Sequence, residues 1–128
     1  MRRSLFVALA LGMFLGGPVA ADAALQLAPI MHAWRANLHV MDAALSGKVP
    51  SDPDQLRRAV QGYLDDATLV AGRLHGHGAQ AQDFRNRFLF LAAEGRNALG
   101  DIGQPAKLKV DAERIKATCA SCHAAYNN

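Results

Sequence analysis

Four stretches of the chain carry apolar residues three and four positions apart, and Gly and Pro residues separate them. The first covers about residues 29–45, the second begins at Ser51-Asp52-Pro53, the third covers about 81–99, and the fourth follows Pro105. This spacing places apolar side chains on one face of a helix, whereas no stretch alternates as a strand would. The sequence therefore predicts an all-α protein, an antiparallel four-helix bundle.

The N-terminus has the pattern of an export signal. Arg2 and Arg3 precede an uncharged apolar run of 11 residues at 5–15, and small residues follow at 19–24. The pattern predicts a signal peptide at 1–21, cleaved after Ala21 or Ala23, and a mature four-helix domain at 22–128 in the periplasm. The apolar run is too short to span a bilayer, which needs about 20 residues. The mature protein is therefore expected not to be embedded in a membrane.

The basic character of the chain belongs largely to this predicted signal. The whole sequence has 14 Lys and Arg residues and 11 acidic ones, and residues 1–21 contain Arg2 and Arg3 but no acid. The mature domain is left with a net charge of about +1. It contains no Lys/Arg cluster with interleaved aromatic residues, so we expect no nucleic-acid partner.

The residues with the clearest chemical meaning lie near the C-terminus, in Cys119-Ala120-Ser121-Cys122-His123. Cys-x-x-Cys-His is the attachment pattern of c-type haem. Residues three and four apart share a helix face, so both thiols can add to the vinyl groups of one haem while the imidazole of His123 reaches the iron. We expect one covalently bound haem c, with His123 as the proximal iron ligand.

Three other interpretations of the two cysteines fit the sequence less well. A thioredoxin-type pair is typical of a helix start after a strand, and no strand is predicted here. A structural zinc site needs two further ligands, for which His75 and His77 are the nearby candidates. A disulfide between residues three apart would be strained and would stabilise little. The haem interpretation is favoured over all three.

The motif and the four helices resemble the class II cytochromes c, the cytochrome c prime family. The resemblance covers the mature chain: four helices, with the motif near the C-terminus and followed by an aromatic residue, Tyr126. In that family a residue of the first helix lies over the distal face of the haem; it is apolar in high-spin members and a ligating methionine in low-spin members. Residues 31–47 look like that first helix, and the match puts Met31 at the ligand position. The family's basic residue after the aromatic is missing, because Asn127 and Asn128 follow.

The expected topology also favours Met31 as the distal ligand. In an up-down-up-down bundle the start of the first helix and the end of the fourth lie at the same end, so the haem is expected at that end. Met41 lies about 15 Å further along the helix, at about 1.5 Å per residue. His32 is rotated about 100° from Met31. His39 lies two turns along, so neither histidine is predicted to ligate.

Further residues are candidates for the surroundings of the haem. Arg35 is equally consistent with pairing a haem propionate, which its guanidinium suits, and with a solvated surface position. Trp34 and Tyr126 are interpreted as core or haem-wall aromatics rather than electron relays. The predicted lining of the pocket consists of Leu27, Trp34, Phe88, Leu108 and Ile115.

These features favour one-electron transfer. Iron held by His and Met has no open position, and the sequence offers no nucleophile–base pair or carboxylate dyad, so we expect a carrier and not an enzyme. Its partners would be redox proteins whose identity the sequence does not specify. Two alternatives remain open: binding or buffering of NO or CO at a five-coordinate or Met-displaceable iron, and, as the resemblance to the family implies, a homodimer formed through helices one and two.

Overall fold

A computed structural model describes residues 26–126; the predicted signal peptide at 1–21 and residues 127–128 lie outside that range. The described chain consists of four helices and their connections. The helices are α1 (Leu27–Ser46), α2 (Pro53–Arg73), α3 (Ala79–Gly100) and α4 (Pro105–Tyr126). The prediction of an all-α, four-helix chain is confirmed. None of the helices within 26–126 combines the length and the apolar character needed to cross a membrane.

Local chemistry explains where the helices begin and end. Asp52 caps α2, because its Oδ1 accepts a hydrogen bond from the Asp54 N–H at 2.9 Å, and Pro53 follows in the first turn. Gly47 ends α1 at φ 65°, a left-handed conformation that favours glycine. The low helix propensity of glycine predicts that Gly72 loosens the end of α2, but the helix continues through it to Arg73. The buried residues on either side of Gly72, Ala71 and Leu74, hold this last turn against the core.

Contacts between neighbouring helices show that each runs antiparallel to the next. Arg85 near the start of α3 donates to the carbonyl of Ala71 near the end of α2. Arg87 of α3 donates to Ser121 of α4. The helices meet in ring order, α1 with α2, α2 with α3, α3 with α4, and α4 with α1. The start of α1 and the end of α4 therefore lie at the same end, as the predicted topology requires.

Burial is distributed unevenly among the helices. The helices α2 and α3 each bury seven residues, whereas α4 buries four and α1 only Trp34 and Met41. Gly95 allows α2 and α3 to approach closely, since a Cβ at this position would lie 3.1 Å from Cδ1 of Tyr63. The α2–α3 interface is thus tightly packed. The opposite interface, between α1 and α4, is the open one, and we call it the α1–α4 seam.

Candidate haem-binding site

The three motif residues lie in the last two turns of α4. Cys119 and Cys122 are half-buried, His123 is exposed, and both cysteines are free thiols. Cys119 also packs against the buried core. The shared helix face that the spacing predicted therefore turns toward the bundle rather than away from it.

Two adjoining cavities meet at these residues. The first, the seam cavity, has a volume of about 390 Å³ and lies between α1 and α4. The second, the end cavity, has a volume of about 170 Å³ and reaches α3. Met31 and His123 line both cavities, while Cys119 lines the first and Cys122 the second. The structure thus brings together all four residues that the sequence proposed for covalent attachment and iron ligation.

The two cavities differ in chemical character. Apart from the motif residues and Met31, the end cavity is lined by apolar and aromatic side chains: Leu27, Phe84, Phe88 and Tyr126. The seam cavity contains the charged side chains Arg35, Asp42 and Lys116, together with Trp34, Leu38 and His39. A haem has an apolar ring and two carboxylates at one edge, so an apolar space adjoining a charged one fits its chemistry. Of the predicted lining, Leu27, Trp34 and Phe88 are present here, whereas Leu108 and Ile115 lie in the buried core.

The pairing of α1 with α4 shows which part of α1 lies level with His123. Lys116 donates to Asp42 across the α1–α4 seam. Because the helices are antiparallel, His123, seven residues after Lys116, lies level with Arg35, seven residues before Asp42. Met31 is then displaced from that level by about 6 Å in one direction and His39 by about 6 Å in the other, at about 1.5 Å per residue.

The position of His39 is a finding that the sequence reasoning did not anticipate. It lies on the wall of the seam cavity, the cavity that His123 also lines. His39 is exposed and lines only this one of the two motif cavities, whereas Met31 is half-buried and lines both. His32 is exposed. Met31 is therefore better placed than His39 to reach the space that His123 borders, and His39 is the second candidate on that wall.

A polar cluster on α3 holds the last turns of α4. Arg87 donates from Nε to Asp83 at 2.9 Å and from Nη1 to the hydroxyl of Ser121 at 2.8 Å. The Tyr126 hydroxyl also donates to Asp83, and the Arg87 guanidinium lies 5.6 Å from the centre of the Tyr126 ring. The only local signal of this cluster in the sequence is the i,i+4 spacing of Asp83 and Arg87, which does not predict the contacts with α4. Because Ser121 lies within the motif, the cluster fixes the motif turn against α3.

The electrostatics of the site follow from burial and from this cluster. Burial raises the pKa of the Cys119 thiol, and the neighbouring Cys122 raises it further. Burial also raises the pKa of Cys122, although the Arg87 charge opposes this effect. The hydrogen bonds from Tyr126 and then Arg87 lower the pKa of Asp83. The thiols are therefore protonated at neutral pH, unlike the low-pKa thiolates of disulfide oxidoreductases.

Buried polar atoms without a protein partner also lie in the core near the site. Trp34 Nε1 and the Tyr63 hydroxyl are buried and have no hydrogen-bond partner within the described chain. The two rings pack against each other with centroids 4.9 Å apart, and Trp34 lines the seam cavity. Burial, followed by the nearby Cys119 and Glu94, raises the pKa of Tyr63. A buried donor without a hydrogen-bond partner costs free energy. The protein groups of this part of the core therefore do not satisfy all of its hydrogen bonds.

Other arrangements of the motif residues fit the structure less well. Cys119 is the fifteenth residue of α4, far from the helix N-terminus where thioredoxin-type cysteines lie. His75 and His77 are exposed in the connection between α2 and α3. Within residues 26–126, no group of three or more His, Cys, Asp or Glu side chains is arranged to hold a metal ion directly. A wider cavity of about 630 Å³ between the end of α3 and the start of α4 contains none of the motif residues.

Comparison with known proteins finds no family model that matches this chain and no curated protein that matches it. The resemblance to class II cytochromes c therefore rests on the motif, its place near the C-terminus and the four-helix architecture. Function has to be argued from the site.

Proposed function

We propose that this chain is an exported c-type cytochrome that carries single electrons through one haem attached covalently to Cys119 and Cys122. The observation that carries the proposal is the meeting of Met31 and His123 on the walls of both motif cavities, each of which also contains one of the cysteines. The open α1–α4 seam supports it, because a bound group there would complete a core that the side chains leave unfilled.

Each residue of the site has a distinct role in this proposal. Cys119 and Cys122 would hold the haem through two thioether bonds, His123 would supply a nitrogen ligand to the iron, and Met31, on α1 across the seam, would supply a soft sulfur ligand. Arg35 provides a positive charge at the seam for a propionate. The haem supplies the one-electron chemistry when bound, and a thioether ligand favours its reduced state.

The remaining side chains control solvent and orientation. Phe84, Phe88 and Leu27 keep water away from the end cavity, since they present only hydrocarbon surface. The Asp83–Arg87–Tyr126 cluster holds the motif turn, so the directions of Cys122 and His123 are set before any partner docks. In this proposal the protein works in the periplasm with redox proteins as partners.

The proposal is tested on full-length protein expressed in a bacterial host that has the machinery for attaching haem c. Intact-mass spectrometry should find the chain plus one haem, and acid-acetone extraction should leave the haem on the protein. The reduced protein should show a low-spin spectrum that does not change under carbon monoxide. Haem that extracts, or a mass that lacks it, would overturn the proposal.

A second candidate function has one specific observation in its favour. Leu38, an apolar residue that cannot ligate iron, lines the seam cavity and lies three residues from the level of His123. If Leu38 rather than Met31 faces the iron, the sixth position stays open and the protein binds NO or CO. A high-spin wild-type spectrum that changes on addition of carbon monoxide would favour this function over electron transfer.

A further inference from the structure

One ion pair spans the open α1–α4 seam and has no role in the function proposed above. Lys116 of α4 donates to Asp42 of α1, and both side chains are about half exposed, at 44% and 48%. Both residues also line the seam cavity, beside Arg35 and together with Cys119 and His123. A surface ion pair of this exposure contributes little to stability, so its position calls for another explanation.

The charges around the seam cavity favour an anionic occupant. Two cations, Arg35 and Lys116, face one another from opposite helices, and Asp42 is the only carboxylate on the wall described. Arg35 forms no hydrogen bond or ion pair with any residue of 26–126. A group that brings two carboxylates would pair with Arg35 directly, and would have to displace Asp42 from Lys116.

We propose that Lys116 is a second binding residue for the carboxylate edge of the haem, and that Asp42 competes with the haem carboxylate for it. This inference rests on the function proposed above and concerns how the same site holds its cofactor. The ammonium of Lys116 is a compact charge on a flexible stem, so it can exchange one carboxylate for another without moving the helix. Arg35 holds one propionate and Lys116 the other.

The groups around Lys116 determine how the proposal is tested. Lys116 contacts Asp42 and lines the seam cavity together with Arg35, His39 and His123. It also lines a smaller cavity between α1 and α4 together with Lys109 and Glu113. The α3 side of α4 is occupied by other residues, namely Arg114 facing Glu94 and Ser121 facing Arg87. Because His39 is a further ionisable side chain on the wall of the seam cavity, the experiment is carried out with and without His39→Gln.

The measurement is the reduction potential of the haem-loaded, full-length protein as a function of pH. Ionisation of a propionate lowers the potential, and a nearby cation lowers the pKa of that propionate. The reduction potential therefore falls over the pH range in which the propionate ionises. Lys116→Gln should shift this range to higher pH by about half a unit, because solvent exposure weakens the effect of a nearby charge. Asp42→Asn should move it downward, because Lys116 is released to the propionate.

Lys109→Gln is the matched control. Lys109 lies on the same face of α4, seven residues or about 10 Å before Lys116, and does not line the seam cavity. The Lys109→Gln substitution removes one positive charge from the same face of α4, so an effect of net charge on the reduction potential would appear in this variant too. We expect its pH profile to follow that of the wild type.

The possible outcomes separate this inference from the function on which it rests. If all variants carry covalent haem but Lys116→Gln and Asp42→Asn shift the profile in the same direction, or not at all, Lys116 has no such role while the cytochrome proposal stands. An equal shift in Lys109→Gln also overturns the inference. A wild-type protein without covalent haem overturns both.

Discussion

The α2–α3 interface and the α1–α4 seam are built from helices of nearly equal length, yet one is closed and the other open. In the closed interface Gly95 lets the helices approach until the Tyr63 ring fills the space between them. In the seam, three cavities lie between α1 and α4 or at the end they share. Every residue of the proposed haem site borders the open side. The contrast shows that two faces of one bundle can differ in closure: side chains fill the α2–α3 interface and leave the α1–α4 seam open, where the proposed haem would lie.

Packing energetics indicate that the open α1–α4 seam lowers the stability of the chain. Protein interiors are packed nearly as densely as organic crystals, and unfilled apolar space costs free energy in proportion to its volume. The buried Trp34 and Met41 are all that α1 contributes to the fully buried core. A chain left with this seam unfilled would depend on α2 and α3 for most of its stability.

The largest effect should come from preventing attachment altogether. Replacing both Cys119 and Cys122 with Ala should remove the haem and leave α1 and α4 without a filled interface. We expect this protein to be molten, with no cooperative thermal transition, and with hydrogen-exchange protection kept best in α2 and α3. Circular dichroism melts and exchange measured by mass spectrometry would show it.

Ser121→Ala, in the same turn, is the control for that variant, because it leaves both thiols in place. It removes only the hydroxyl that accepts from Arg87, and should keep the haem and a cooperative transition. A native-like, cooperative transition in the double cysteine variant would mean that the seam does not need a cofactor to order.

The second effect concerns the iron. Met31→Ala should open the sixth position and give a high-spin site that binds carbon monoxide, because the ligating sulfur is lost. His32→Ala should leave the spectrum nearly unchanged, since His32 is exposed. His39→Ala is also expected to leave it nearly unchanged, and is the sharper control because His39 lines the seam cavity.

Absorption spectra of the three variants, oxidised and reduced, distinguish ligation by His and Met from ligation by two histidines. If Met31→Ala stays low-spin and a histidine variant turns high-spin, the iron is held by two histidines. The wild type should also show the weak sulfur-to-iron charge-transfer band of His/Met ligation near the red edge of the spectrum.

The third prediction probes the closed interface. Gly95→Ala would bring a Cβ to 3.1–3.2 Å from the Tyr63 ring and the Leu64 Cβ. Overpacking of this kind should lower the free energy of unfolding by about 1–3 kcal/mol.

Gly72→Ala is the control in α2, where nothing lies within 4 Å of the new Cβ. It should raise stability by about 0.5 kcal/mol through helix propensity, and urea unfolding of both proteins would measure the difference. Equal effects of the two substitutions would show that the interface is looser than described.

The smallest effect is a pair of opposite pH dependences. Burial raises the pKa of Asp111, a carboxyl in the core with one unpartnered oxygen, so its contribution to stability is lost as the pH rises through its folded pKa. Asp111→Asn should therefore gain stability relative to the wild type between about pH 4 and neutrality.

The pKa of Asp83 is lowered by Tyr126 and Arg87, so Asp83→Asn should lose stability at neutral pH. That loss should disappear as the pH falls below 4, toward the folded pKa. Thermal melts across this range would test both signs, and parallel pH profiles would contradict the assignment.

Much of this architecture could be predicted from local patterns. Helix starts such as Asp52-Pro53 and stops such as Gly47 depend on backbone conformation and on hydrogen bonds within a few residues, which the sequence shows directly. The shared face of Cys119, Cys122 and His123 follows from helix periodicity alone. The behaviour of Gly72 did not follow, because packing of Ala71 and Leu74 against the core outweighs the low helix propensity of one glycine.

The sequence by itself determined the four helices, their order and the shared helix face of the motif residues, because these depend on spacing within a single helix. Only the tertiary structure decided which side chains from different helices meet. Nothing local to α3 indicates that Arg87 holds Ser121, and nothing local to α1 places His39 and Asp42 on a wall shared with His123. Such contacts depend on the rotation and register of one helix against another, and those are set by the packing of the whole core, through residues such as Gly95 that lie far from the site.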